Sequence, residues 1–326
     1  MLTHQRMLEI LKNNKVVFGA LLFFVTALCI VGIGGSIAPQ YVQEGTIVTI
    51  KKDMGLSQTA DVLARDGVIR SAFVYKVYMV LLGGHGKIKA GEYLFDEPQS
   101  VIQVAERTIS GAQGLPKLKV TIPEGKNVRE IAWIILKAIP RFNAPAFIAL
   151  GQQYEGYLFP DTYFFYPNVT ASEVVATMRE EFNTKIQTIQ KEINTFGKPL
   201  KDIIAMASIV EKEATSTQDR KIVAGVLWNR MSHHAALQVD PPFFYFLGKN
   251  SSDITFDDLK IDSPYNLYKY VGLPPTPIGS PGIETILATV TPTITDYWFY
   301  LSDSDGRMHY AVTYEGHLVN KAKYIK

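Results

Sequence analysis

Two glutamates separated by one lysine, Glu211 and Glu213, have the clearest potential for chemistry in this chain. They follow a long apolar run, and its composition predicts a helix over Leu200–Ala214. Side chains two residues apart on a helix point in nearly opposite directions. Only one of the two carboxyls can therefore face a cleft together with the apolar residues.

Spacing favours Glu213 as that carboxyl. It follows three apolar residues by seven, four and three positions, which places it on their stripe: Met206, Ile209 and Val210. A carboxyl on an apolar face is expensive to ionise, and this keeps a general acid protonated near neutral pH. We interpret Glu211, on a more polar strip, as a solvated charge. Patterning alone leaves a solvated role open for Glu213 too.

Other catalytic and cofactor sites find little support in the sequence. The six histidines are scattered, and no His-Glu-x-x-His motif supplies metal ligands. We find neither a glycine-rich phosphate loop nor the Gly-x-Ser-x-Gly turn of a serine hydrolase, although a Ser-His-Asp set stays open. We therefore expect no metal and no cofactor. A formal net charge of +2 does not indicate a nucleic-acid partner.

Several sequence blocks occur in a fixed order. The C-terminal blocks are Ser208-Ile-Val-Glu-Lys-Glu213, Asn229-Arg230, Leu237-Gln238-x-Asp240-Pro241, Ser263-Pro-Tyr-Asn-x-Tyr268 and Gly272-Leu-Pro-Pro275. Earlier blocks are Lys89-Ala-Gly-x-Tyr93, Glu124-Gly125 and Glu155-Gly-x-Leu-Phe-Pro-Asp-Thr162. In order and spacing these blocks resemble one family, the endolytic murein transglycosylases (MltG/YceG-like). The departures from the family pattern are Pro242, Phe243-Phe244, Leu267, Thr276 and the segment His233–Ala236. They bear on glycan preference more than on the type of reaction.

The resemblance implies a catalytic residue and a set of sugar-binding residues. The family's catalytic glutamate corresponds to Glu213, in agreement with the spacing argument. Amides, carboxylates and aromatic rings can hold sugar rings and their substituents. The implied substrate-binding residues are Gln238, Asp240, Asn229, Arg230, Tyr265, Asn266 and Tyr268. Structural roles stay open for several: a helix C-terminus for Arg230, a turn for Asp240 and a packed loop for Tyr268. For Glu155 and Asp161 we favour a structural role.

The N-terminal region predicts a membrane anchor. Residues 16–37 are apolar and uncharged, a length that spans a bilayer core of about 30 Å. Basic residues precede this segment, so we expect a cytoplasmic tail at 1–15, a transmembrane helix at 16–38 and the remainder outside. A cleaved signal peptide is the alternative. Cys29, the only cysteine, lies within the segment, and we interpret it as filler more readily than as a lipidation site.

The exported part predicts an α+β protein in two domains joined by the linker Ser110–Pro116. Residues 40–112 read as a small α/β module with strands at Thr46–Ile50 and Gly91–Phe95. Its predicted helices are one capped by Ser57, one over Ser71–Leu82 and one capped by Ser100. By the resemblance this module is LysM-like, although a spacer stays open. Residues 117–326 would form the mixed α+β catalytic domain, closing with a hairpin around Asp305-Gly306.

The resemblance implies a single-pass inner- or plasma-membrane enzyme whose catalytic domain is periplasmic or extracellular. It would cleave the β-1,4 bond between N-acetylmuramic acid and N-acetylglucosamine within nascent glycan strands and leave a 1,6-anhydro end. Its partners would include the peptidoglycan synthases of cell elongation. Two alternatives stay open: a non-catalytic peptidoglycan-binding anchor, and a muramidase that uses water.

Overall fold

A computed structural model of the chain describes residues 34–325, which form a mixed α+β protein. The chain divides after Pro116 into two compact units. The apolar segment predicted to cross the membrane lies outside the described residues, except for its last positions from 34 onward. Among the helices of residues 34–325, none combines the length and hydropathy that crossing a bilayer requires.

Over residues 37–116 the first unit contains two strands and three helices, close to the sequence prediction. They are β1 (Thr46–Ile50), α1 (Leu56–Arg65), α2 (Ala72–Leu81), β2 (Gly91–Phe95) and α3 (Val101–Ser110). Ser100 caps α3 as predicted, because its hydroxyl accepts an otherwise unpaired N–H group of the first turn. Ser71, predicted as the first residue of its helix, instead caps α2 in the same way. The predicted cap Ser57 is wrong. Helix α1 begins at Leu56, two residues before the start that a cap at Ser57 implies, and the Gln58 side chain accepts from the Gly55 N–H.

Strands β1 and β2 pair antiparallel and form a two-stranded sheet, against which the helices of the first unit pack. The two largest core residues of β2, Tyr93 and Phe95, are fully buried, as is Tyr75 of α2. The Tyr75 hydroxyl bonds to Thr108 of α3 at 2.7 Å, which satisfies both buried groups. The LysM-like assignment of this unit stays a prediction.

The second unit is mainly helical, with two antiparallel strand pairs. Its strands are β3 (Leu118–Thr121), β4 (Thr162–Phe165), β5 (Phe299–Ser302) and β6 (Met308–Ala311), paired as β3 with β4 and β5 with β6. Its helices are α4 (Val128–Ala138), α5 (Ala144–Gly151), α6 (Ala171–Thr188), α7 (Gln190–Phe196), α8 (Leu200–Glu213), α9 (Thr217–Ser232), α10 (Pro241–Leu247), α11 (Ile283–Val290) and α12 (Tyr314–Tyr324).

Two predicted helices of this unit differ from the structure. The helix predicted over Ala171–Asn194 is divided into α6 and α7 at Ile189, which leaves the regular helical conformation. The helix predicted over Phe256–Lys260 is a single 3₁₀ turn, Asp258–Lys260. In that segment the Asp258 carboxylate accepts from the Thr255 N–H and hydroxyl, a side-chain bond that competes with a regular helix.

Helix α8 is the central element of the second unit and packs against α9, α10 and α11. All eight residues from Ile203 to Val210 are buried, so the helix is surrounded by protein over its middle turns. Its last residue is Glu213, after which Ala214 is extended. A helix of this kind delivers its C-terminal carboxyls to fixed positions.

Candidate active site

Glu213 lies at the end of α8 and lines an open cleft of about 800 Å³. The stripe that predicted its position is real: Met206, Ile209 and Val210 belong to one core cluster of the unit. Burial raises the pKa of Glu213 to about 7, the negative charge of Asp240 adds to the rise, and Tyr300 and Arg230 oppose it. A carboxyl with this pKa can both donate and accept a proton near neutral pH.

Three other predicted residues line the same cleft: Gln238, Asp240 and Tyr268. The Tyr268 hydroxyl donates to Asp240 Oδ1 at 2.6 Å, which joins the loop before α10 to the loop that carries Tyr268. The Gln238 side chain is exposed, and its backbone has a positive φ of +50°. At this unusual backbone conformation the chain turns, and the Gln238 backbone N–H donates to the Leu267 carbonyl. The exposed side-chain amide of Gln238 borders the cleft.

Arg230 also borders the cleft, but its guanidinium is occupied by protein carbonyls. Nη1 donates to Leu237 O at 2.6 Å, and Nε donates to Trp298 O at 2.8 Å. Only 8% of the residue is exposed, and burial lowers its pKa. Arg230 thus ties the end of α9 to the segment before Gln238 and to the start of the closing hairpin, while its charge lies close enough to affect Glu213.

Tyr300 of β5 is the residue that sequence reasoning missed. Its hydroxyl is buried without a hydrogen-bond partner of good geometry among residues 34–325, yet it lies close enough to Glu213 to lower that group's pKa. It lines the cleft with His317 and Lys321 of α12. The aromatic residues of β5 predict a strand, but no local pattern indicates that one of them, Tyr300, lies close to a glutamate 87 positions earlier in the sequence.

Glu211 is not the solvated charge that we expected. Its side chain is only 5% exposed and pairs with Arg220 Nη2 at 2.8 Å. Its second oxygen accepts from the Gly282 N–H at 2.9 Å, immediately before α11. Helix α8 is buried all round, so its end meets protein on the Glu211 side as well. Glu211 is a structural carboxylate that connects α8, α9 and α11.

Three predicted binding residues lie away from the lining of this cleft. The Asn229 carbonyl, on α9, is in contact with the Ser232 hydroxyl and with the ring and N–H of His233. Asn266 is fully buried and donates to Leu259 O and Ile261 O, both at 2.9 Å, so it fixes its own loop. Tyr265 bonds Thr276 at 2.8 Å and borders another cavity.

That other cavity has a volume of about 280 Å³ and is bordered by Glu155, Tyr245 and Tyr265. Glu155 is 5% exposed and accepts from the Val128 N–H at 3.2 Å, at the first turn of α4, and from the Tyr245 hydroxyl at 3.3 Å. Burial raises its pKa to about 7, and these bonds oppose the rise. Its bonds match the structural role expected for Glu155, a cap on α4.

Within residues 34–325, no group of three or more His, Cys, Asp or Glu side chains is placed to hold a metal ion.

Comparison with known proteins identifies the family. The sequence model of the YceG-like family matches residues 48–323, most of both units. The chain belongs to the YceG-like family. A relative in Bacillus subtilis, named endolytic murein transglycosylase, is 30% identical over 305 residues, which cover 85% of this chain and 84% of that protein.

A more distant relative and a solved structure agree with this membership. The endolytic murein transglycosylase of Streptococcus pneumoniae is 26% identical over 355 residues, which cover 93% of this chain and 64% of that protein. This chain thus spans less than two thirds of the pneumococcal protein. The crystal structure of a yceG-like protein from Listeria monocytogenes matches with a TM-score of 0.57 and 30% identity, over 85% of this chain and 99% of that one.

Proposed function

We propose that this chain is an endolytic lytic transglycosylase of peptidoglycan with Glu213 as its general acid and base. The observation that carries the proposal is a carboxyl with a pKa of about 7 in a cleft walled by polar and aromatic groups. Membership of the YceG-like family and the names of the Bacillus and Streptococcus relatives support the same activity.

In the proposed reaction, protonated Glu213 gives its proton to the oxygen that links N-acetylmuramic acid to N-acetylglucosamine. The bond from C1 of the muramic acid to that oxygen breaks, and positive charge develops at the ring. The 6-hydroxyl of the same muramic acid then attacks C1, and the Glu213 carboxylate accepts its proton. The products are an N-acetylglucosamine end with a free 4-hydroxyl and a 1,6-anhydro-N-acetylmuramic acid end, and Glu213 is again protonated.

The neighbours of Glu213 suit this sequence. The negative charge of Asp240 keeps Glu213 protonated before the reaction and favours the positive charge that develops at the sugar ring. Tyr268 holds Asp240 through its 2.6 Å bond. Gln238 offers an exposed amide for acetamido and hydroxyl groups at the edge of the cleft.

A water-using muramidase is the second candidate, because Asp240 supplies another carboxylate in the same cleft. Inverting glycosidases use a second carboxylate to activate water. Digestion in heavy-oxygen water separates the two reactions. We expect products without solvent oxygen at the muramic acid end. Label at that end in most products would refute the transglycosylase mechanism while leaving Glu213 as the acid.

Matched variants test the assignment within the Glu-Lys-Glu motif. Glu213→Gln should fold and bind glycan but lose about 10²–10⁴ in rate. Glu211→Gln should lower the melting temperature, because it weakens the buried pair with Arg220, and should keep most activity per folded molecule. An inactive Glu211→Gln enzyme beside an active Glu213→Gln enzyme would reverse the assignment.

We further propose that residues 16–38 anchor the chain in the inner or plasma membrane, with a cytoplasmic N-terminus. An anchor raises the local concentration of the cleft at nascent glycan, where peptidoglycan synthases work. We propose residues 40–112 as a LysM-like module that contacts glycan. A chain that binds sacculi without producing new ends would instead support the non-catalytic anchor.

A further inference from the structure

Helix α2 of the first unit exposes an apolar face to solvent. One side of the helix, with Val74, Tyr75 and Met79, is buried in the core of the unit. The other side repeats large apolar residues at helical spacing and leaves them uncovered: Phe73 (62% exposed), Val77 (41%), Val80 (60%) and Leu81 (75%). Single exposed apolar residues are common, whereas a contiguous face marks an interaction surface.

The path of the chain indicates what covers this face. Residues 34–36 are helical, and Gly35 packs against the first turn of α2. A Cβ added at Gly35 would lie 2.6 Å from Val74 Cγ2 and 3.3 Å from Ser71 Cβ, so the approach is as close as a glycine allows. Gly35 belongs to the end of the uncharged apolar run 16–37. The predicted anchor therefore ends beside the start of α2.

The charges around α2 fit a lipid surface. From Gly67 to Gly91 the chain has no Asp or Glu, and its charged residues are all basic: Arg70, Lys76, Lys87 and Lys89. Anionic headgroups attract Lys and Arg near a membrane, and apolar helix faces insert at the boundary between headgroups and acyl chains. An apolar stripe whose neighbours along the chain carry only positive charge matches both contacts.

We propose that α2 lies in the interface of an anionic bilayer, with Phe73, Val77, Val80 and Leu81 among the lipids. The proposal rests on the membrane anchor proposed above. It adds a second attachment, so that the first unit is held against the bilayer surface instead of moving about the end of a single span.

The test uses the full-length chain in vesicles. Cys29 is the only cysteine, so Cys29→Ser followed by Phe73→Cys or Val80→Cys gives a single labelling site on the face. Asp61→Cys, at an exposed position of α1 in the same unit, is the matched control. Each variant carries a polarity-sensitive fluorophore and is reconstituted with phosphatidylcholine, alone or mixed with phosphatidylglycerol. Lipid-attached nitroxides then report contact with the bilayer, and flotation reports anchoring.

We expect blue-shifted emission and nitroxide quenching at positions 73 and 80, and neither at position 61. Adding Lys87→Gln and Lys89→Gln should reduce the quenching in phosphatidylglycerol vesicles. Protein that floats with vesicles but keeps 73 and 80 open to aqueous iodide would overturn the docking proposal and leave the anchor intact. A blue shift that depends on protein density, without nitroxide quenching, would assign the face to a second copy. Failure to float would overturn both proposals.

Discussion

The pH dependence of cleavage is the sharpest consequence of the environment of Glu213. Burial and the charge of Asp240 raise the pKa of this carboxyl from 4.5 to about 7. In the proposed mechanism only the protonated form starts the reaction, so kcat/KM should be constant at low pH and fall tenfold per pH unit above the pKa. With a pKa of about 7, the protonated fraction falls about 90-fold between pH 6 and pH 9.

The assay is release of 1,6-anhydro ends from uncrosslinked glycan strands, measured by mass spectrometry at substrate concentrations below KM. Wild type should show a plateau up to about pH 6.5 and a break near pH 7. A glutamate with an ordinary pKa would put the break near 4.3 and give no plateau in this range. A break below about pH 5, or a rate that does not change with pH, would refute the reasoning.

A second buried carboxyl has to be excluded as the source of the break. Burial raises the pKa of Glu155 to about 7 as well, so its ionisation could loosen the second unit over the same range. The break should persist in Glu155→Gln, and near-ultraviolet circular dichroism of wild type should stay constant across it. A break that disappears in Glu155→Gln would assign the pH dependence to the fold and remove it as evidence for Glu213.

Three further predictions concern stability and the groups around Glu213. Because the pKa of Glu213 is raised in the folded state, the free energy of unfolding should fall as pH rises from about 4.5 to about 7. In urea titrations Glu213→Gln should therefore be more stable than wild type by at most about 3 kcal/mol at pH 8, and no more stable at pH 4. An equal difference between variant and wild type at both pH values would contradict this. Tyr300→Phe should move the break to higher pH, because the hydroxyl now lowers the pKa of Glu213; an unmoved break would show that the hydroxyl does not act on the carboxyl. Arg230→Lys should cost about 1–3 kcal/mol in thermal unfolding, since one ammonium cannot reproduce the bonds to Leu237 O and Trp298 O, and unchanged stability would contradict the clamp.

The position of Glu213 beside the core could be predicted from the sequence because its signal is local. Helical spacing placed it on the stripe of Met206, Ile209 and Val210, and all three are core residues. The same approach failed for Glu211. Its partners Arg220 and Gly282 lie nine and 71 positions away, and no periodicity within α8 reveals them. Burial of a helix end depends on what packs against it, which is a property of the whole unit.

The predicted substrate-binding residues likewise divide into those that the sequence placed at the cleft and those that it did not. Tyr268 and Asp240 were named from a block pattern and meet in the cleft. Asn266, in the same block as Tyr268, turned out to be fully buried and occupied by two carbonyls, because a polar side chain that stabilises a loop looks like a ligand-binding one in sequence. Tyr300 could not be found by pattern, since its relation to Glu213 exists only after β5 has docked.

One wall of the cleft is formed by β5, β6 and α12, which follow all its other lining elements in the sequence. A ribosome that has just added Glu213 must still add more than one hundred residues before that wall can exist. At typical rates of synthesis this takes roughly 6–20 s. During that time the nascent chain carries its acid without Tyr300 or α12 beside it. Under the proposed mechanism the chain becomes active only late in its own synthesis, and we expect a chain that stops before Phe299 to lack cleavage activity even where the helices around α8 have folded.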